Sequence, residues 1–504
     1  MISNESYFKG VIALNTVSNR LAKEQKEIHK WEREKAKPKG KYYFAYLVFI
    51  ITLIYATDEI ASQIGTLMKT EIANDLLASF GARSGTFLDI LSILIVPFQA
   101  IGLLYRPLAD RWGRKTFLVI NTFGMSFALF VIFLSNYLKP YFSFFPLFSL
   151  ICYFVGACMV QFFIPHDMHV VYIMESSPSK YRGMVYSSIK FIANISVMLV
   201  PVLRKLLMET AGEWNKVFFI PAIVGLVSSF IALITARETD SFIESRLHYL
   251  RMSPEERLAE KKSKDAQNAQ GGLIPALKFA MKHKQLRWLY ITSSIVNIGF
   301  IGTVNYQVIM TYGYAQHHVN EGLFATLDAA LEAVSIGDVT TALFMFPVGC
   351  AVSQVIMGFI SDIFGRKSAA IVTAVNCLIA FFTFTIGSKL GWNPTLVGFL
   401  CGASIGSYYS TNDVLIMMIG ESSPTNLRSS TMSAQFLVTA IGFAISYIFG
   451  IGIPLVTGLG NEIIGIVSLA LLVPGFIGAF FALMFKTHDT KGIDMDTVTG
   501  CEWD

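Results

Sequence analysis

Charge is scarce in this chain. Only 15% of its 504 residues are Asp, Glu, Lys or Arg, against about 25% in an ordinary soluble domain. Cysteine is scarcer, with six in all. Five of them (Cys152, Cys158, Cys350, Cys377, Cys401) fall in apolar runs without ligand spacing, so neither a disulfide framework nor a metal site is expected. No G-x-x-x-x-G-K-[ST] loop occurs, which argues against an ATP-driven pump. No clustered nucleophile and base points to an enzyme. No short apolar core with a small-residue cleavage site precedes the first long apolar run, so no cleavable signal peptide is expected.

Apolar surface is what the chain has in abundance: 53% hydrophobic residues, including 41 Phe. A soluble domain would leave much of this exposed as large patches. A polytopic membrane protein, whose partner is the lipid bilayer, solves the problem, and a nucleic-acid binder is excluded. A spanning helix needs about 20 mostly apolar residues. Twelve runs qualify, at roughly 43–67, 87–105, 117–136, 145–173, 184–206, 217–236, 287–311, 339–360, 369–388, 394–420, 432–455 and 462–485. The expected fold class is therefore an all-α membrane protein of twelve spans.

The basic residues orient these spans. With the N-terminus placed inside, 32 of the 40 Lys and Arg lie on that side and 7 outside, with Lys190 inside a span. This bias predicts that both termini are cytoplasmic. The segments read as a cytoplasmic extension 1–41, a bundle 42–236, a linker 237–286, a second bundle 287–486 and a tail 487–504. The extension is polar and is expected to be solvated.

Two motifs recur in the same order. After the second run the chain reads Arg106-Pro-Leu-Ala-Asp110-Arg-Trp-Gly113-Arg114-Lys115. After the eighth it reads Gly358-Phe-Ile-Ser-Asp362-Ile-Phe-Gly365-Arg366-Lys367, with the aspartates 252 residues apart. Glu175-Ser-Ser-Pro178-Ser-Lys-Tyr-Arg182 follows the fourth run, and Glu421-Ser-Ser-Pro424-Thr-Asn-Leu-Arg428 follows the tenth, at an offset of 246. The chain is thus two related six-span halves.

These motifs resemble those of the major facilitator superfamily over residues 42–487, nearest to the metabolite–proton symporter, organic-ion and sugar-porter branches. One departure is Arg106, where the family usually has Gly. The resemblance implies an alternating-access carrier of a small-molecule solute, in which spans 1, 4, 7 and 10 line a central cavity. It implies no cofactor beyond a coupling proton. A monomer in the plasma membrane is expected. The motif charges Asp110, Arg114, Glu175, Arg182, Asp362, Arg366, Glu421 and Arg428 read as cytoplasmic gating pairs, or else as anchors of helix ends at the headgroups.

Ionisable groups at membrane depth are default functional candidates. Asp58 and Glu59 lie in the first span, and at most one of them squarely faces the cavity. Asp167 and Asp413 occupy equivalent places in the two halves, with His166 beside the former. These five are the proton-coupling candidates, with structural hydrogen bonding as the alternative. Lys190 reads either as an anion-binding group or as a partner for Asp167. The other substrate-binding candidates are Gln161, Asn297, Asn305, Tyr306, Gln307, Tyr408, Tyr409 and Asn412. Such residues make small-solute pockets, and equally they join helices. Lys190 and the histidines tilt the expected solute toward an organic anion or metabolite. A sugar or polyol porter is the alternative, and a transporter-like nutrient receptor a more remote one.

Overall fold

We analysed a computed structural model of the chain. The structure describes residues 24–37, 40–105, 113–142, 144–145, 147–163, 191–253, 273–424 and 428–492, with 22, 172, 176, 189, 255–257 and 259. All regular structure among them is helical.

In the first half, α1 covers 24–36, α2 Tyr43–Leu67, α3 Lys69–Leu76, α4 Ser84–Tyr105, α5 Arg114–Tyr137, α6 Phe148–Phe163, α7 Leu199–Leu207 and α8 Lys216–Thr235. The linker carries α9, Asp240–Arg251, and α10, Leu273–Lys282. In the second half, α11 is Lys284–Val296, α12 Phe300–Val304, α13 Tyr306–Asn320, α14 Leu327–Val334 and α15 Thr340–Phe364. Then come α16 Arg366–Lys389, α17 Pro394–Glu421, α18 Arg428–Thr457 and α19 Ile464–Lys486. Among the described residues, seven helical segments are long and apolar enough to cross a membrane, beginning with Tyr43–Leu67.

Sequence explains the tightest packing. Gly398, Gly402 and Gly406 recur every four residues on α17 and present one bare face. The α15 backbone lies directly on it, and a Cβ on Gly406 would come within 2.7 Å of the Cys350 Cα. Small residues at such spacing permit this approach.

The seventh predicted span is not one helix. It breaks into α11, a 3-10 turn at Asn297–Gly299, α12 and α13. The second break is at Asn305, where φ is −116° and ψ 9°. The Asn305 amide donates to the Ile301 carbonyl at 3.0 Å, satisfying a backbone group near the break, as a buried helix requires.

The polar extension departs from expectation, because part of it is docked. Trp31 on α1 is buried and meets Phe242 edge-on at 5.5 Å. Around this contact, Glu24 pairs with Arg257 at 3.0 Å, Glu27 with Arg246 at 2.9 Å and Glu32 with Arg251 at 2.7 Å. The apolar stripe of α9 (Phe242, Ile243, Leu247, Leu250) needed a cover, and α1 supplies it.

Candidate functional site

The break in the seventh span sets up the first polar knot. Asn297 at its start donates to Asn412 at 3.0 Å. Asn297 also accepts from the Tyr408 hydroxyl, and Asn412 donates to the Tyr408 carbonyl at 3.1 Å. These three binding candidates therefore satisfy one another and tie the break to α17. Tyr306 is buried and stacks on Phe346 at 4.5 Å. Gln161 is half-buried near the end of α6.

Tyr409 is different. It neighbours buried Tyr408 on α17, yet it remains 38% exposed. It lies within electrostatic reach of Glu59 on α2 and of Asp413 one helical turn away, and its hydroxyl meets the Thr303 side chain. Glu59 also acts on Cys350 of α15. A first-half carboxylate and a second-half carboxylate thus both act electrostatically on one accessible phenol. Asp58 and Glu59 are half-buried and Asp413 is exposed. Tyr447 on α18 is in electrostatic reach of Tyr409 and packs on Phe300 at 5.8 Å, so the place is walled by aromatic rings.

Asn305 and Gln307 are placed elsewhere. Both are buried in a network at the end of the molecule opposite the termini, called here the outer end. Lys69 on α3 pairs with Asp89 on α4 and donates to the Asn305 amide oxygen at 2.8 Å. Asn305 donates back to Asp89 at 3.3 Å. Gln307 accepts from the Thr70 backbone at 2.9 Å and donates to Glu71 at 3.2 Å. Glu71 pairs with Arg204 of α7 at 2.5 Å and accepts from Ser335. Arg204 in turn donates to Thr340 at 3.1 Å and to the Ser335 carbonyl at 2.8 Å. Its side chain is 1% exposed. Lys69 and Arg204 are two of the seven basic residues that the charge bias puts outside, and no motif in the sequence marks Glu71 or Asp89.

The cytoplasmic motif is visible in the second half. Arg366 bridges Asp362 at 3.0 Å and Glu421 at 3.2 Å, and Thr490 donates to Glu421 at 2.5 Å. Arg114, in the matching motif, begins α5, and its backbone amide donates to Glu238 at 2.9 Å. Asp110, Glu175, Arg182, His166, Asp167 and Lys190 lie outside the described residues, as does the side chain of Arg428. Among the described residues no group of three His, Cys, Asp or Glu is placed to hold a metal.

Residues 43–447 match the Major Facilitator Superfamily. A proline/betaine transporter of Escherichia coli strain K12 is 23% identical over 353 residues, covering 68% of this chain and 63% of that protein. The glycine betaine/proline/ectoine/pipecolic acid transporter OusA of Dickeya dadantii is 24% identical over 370 residues, with the same coverage. The chain thus spans less than two thirds of the length of these relatives. Among solved structures, the inward-open xylose transporter XylE from E. coli superposes with a TM-score of 0.58 at 14% identity, covering 92% of this chain and 100% of that one. A D-xylose-proton symporter gives 0.59 at 15%, covering 89% and 99%.

Proposed function

The chain belongs to the Major Facilitator Superfamily, and from that premise we propose that it is a proton-coupled secondary transporter of a small organic solute carrying an amino or quaternary ammonium group. In this reading twelve spans form two six-helix bundles with cytoplasmic termini, in the plasma membrane, as a monomer. The halves rock about a site at their interface.

The observation that supports the solute class is that Tyr409 lies within electrostatic reach of both Glu59 and Asp413. A cation is attracted both to ring faces and to carboxylates, and with two acids near the ring, proton exchange and solute binding fall to different carboxylates in this reading. The aromatic wall of Phe300 and Tyr447 suits the apolar body of such a solute. The relatives named for proline and betaine support the same class. The anion preference rests on Lys190 and His166, which lie outside the described residues, whereas the charged side chains within reach of Tyr409 are carboxylates. A sugar or polyol remains the second reading, favoured by the superposition on a xylose symporter.

Uptake into proteoliposomes with an imposed inward proton gradient tests both readings. Glycine betaine, proline, xylose and succinate are offered in turn. Gradient-driven accumulation of betaine or proline, abolished by Glu59→Gln, supports the proposal. Saturable uptake of xylose or succinate alone overturns the solute class, and accumulation that ignores the gradient overturns the coupling.

A further inference from the structure

The outer network divides its chemistry unevenly. All four charged groups, Lys69, Glu71, Asp89 and Arg204, belong to the first half. Both ion pairs, Lys69–Asp89 and Arg204–Glu71, close within that half. Among the described residues, the second half contributes only neutral groups to these hydrogen bonds: the amides of Asn305 and Gln307, the hydroxyls of Ser335 and Thr340, and backbone carbonyls; its acids Asp328, Glu332 and Glu462 line the adjoining cavity instead. Every bond that crosses between the halves here joins a charge or a backbone amide to a neutral partner, or joins two hydroxyl or amide groups.

We propose that this network is an outer gate whose ion pairs stay closed throughout the transport cycle, and that it opens only by exchanging the neutral groups of the second half for water. The physical reason is the penalty for a stranded charge. Separating a buried ion pair leaves two uncompensated charges in a low-dielectric place. Withdrawing an amide or hydroxyl from a charge that keeps its counter-ion leaves a group that water can satisfy. Water is at hand, because a cavity of about 760 Å³ reaches the network from the outer side and is lined by Thr70, Glu71 and Ser335. The ion pairs hold α3, α4 and α7 together as one rigid face, and α12–α13 with the start of α15 form the face that leaves. The break at Asn305 then has a purpose: it turns the Asn305 and Gln307 side chains onto that face.

A charge relocation tests the idea. Asp89→Asn combined with Asn305→Asp conserves composition and shape, and it keeps an acceptor where Asn305 now lies 2.8 Å from the Lys69 ammonium. The lysine's counter-ion then sits on the other half, so opening must split an ion pair. Hydrogen exchange measured by mass spectrometry in nanodiscs reads the gate without any solute, so this result is independent of the solute class. We expect amides in 300–310 and 330–340 to exchange at least threefold more slowly in the relocated variant than in the wild type. Exchange equal to or faster than wild type overturns the proposal. Should the double variant fail to fold, Ser335→Ala decides: it removes two crossing bonds of one neutral hydroxyl, to Glu71 and from Arg204, and should speed exchange in the same segments at least twofold. Unchanged exchange there overturns the proposal equally.

Discussion

Glu238 and Asp489, one repeat apart in the chain, accept hydrogen bonds from the same place in the two halves. Glu238 takes the Arg114 amide at 2.9 Å at the start of α5, and Asp489 takes the Arg366 amide at 3.0 Å at the start of α16. A carboxylate at a helix N-terminus satisfies orphan amides and meets the positive end of the helix dipole. Each cap is reached through a glycine with positive φ: Gly113 at 106° and Gly365 at 100°. A Cβ on either would run into the capping carboxylate.

Gly113→Ala and Gly365→Ala are therefore expected to be among the most damaging small substitutions in the chain. The side chain forces a backbone region suited essentially to glycine, at about 1–3 kcal/mol, and displaces a cap worth about 1 kcal/mol. Thermal unfolding in detergent should show a lower Tm for each. An unchanged Tm at both would mean that the caps carry no stability.

Glu238 also makes a pH prediction. Burial is the main influence on its carboxyl and raises it above its ordinary 4.5, against the pull of the amides of Lys115, Thr239 and Arg114. The folded chain then binds this proton more tightly than the unfolded chain does. Its contribution to stability is present below about 4.5 and is lost as pH rises through the raised value. The Tm of the wild type relative to Glu238→Gln should therefore rise as pH falls from 7 to 5. A difference that is flat or falls over that range would refute the assignment.

Much of the architecture was legible in the sequence. The first run, 43–67, is α2 to the residue; that Arg366 meets both Asp362 of its own motif and Glu421 of the other was not read from the sequence. What was not legible depends on contacts between distant residues. Asn305 and Gln307 stood out as polar residues in a span, but their partners are 236 and 237 residues away. Lys69 looked like an ordinary outer-loop cation because its apolar run ends at 67, and Arg204 because it stands at the outer end of the run 184–206. The helical chain in fact resumes directly at Lys69. One signal was available: Lys69 and Glu71, two residues apart, directly follow an apolar span. The burial of α1 was hidden for a similar reason, since a charged helix paired with another charged helix has no apolar run to betray it.

Docking of α1 should be separable from the stability of the membrane bundle. Trp31→Ala removes the side chain at the centre of the α1–α9 contact. Loss of a buried Trp destabilises its site by about 3–5 kcal/mol, more than the surrounding solvent-accessible ion pairs, two half-buried and one exposed, restore. Limited proteolysis should cut within 24–36 at least tenfold faster, while the main unfolding transition stays within a degree or two. Equal protection of the variant would mean that the ion pairs alone hold the helix.

At the cavity, Tyr409→Phe and Tyr409→Ala should separate two roles of one side chain. The ring face is what a cationic solute would contact, and Phe keeps it. The Ala variant is expected to raise the KM for betaine or proline uptake about tenfold, near 1.4 kcal/mol, with Phe within about threefold of wild type. If Phe is as impaired as Ala, the hydroxyl and its contact with Thr303 matter more than the ring.

Arg204 offers the sharpest stability test, because its guanidinium is almost wholly enclosed and its partner Glu71 is enclosed with it. Arg204→Met leaves Glu71 as a buried carboxylate with only neutral donors, chiefly Ser335 and Gln307. Breaking a buried pair in this way is destabilising by about 3–5 kcal/mol, whereas removing both charges together is often much milder. The double variant Arg204→Met with Glu71→Leu should therefore recover a large part of the Tm lost by Arg204→Met alone. Recovery will be incomplete, because Thr340 and the Leu67 carbonyl also lose their donor. A double variant less stable than both singles would show that each residue acts chiefly through its other contacts rather than through the pair.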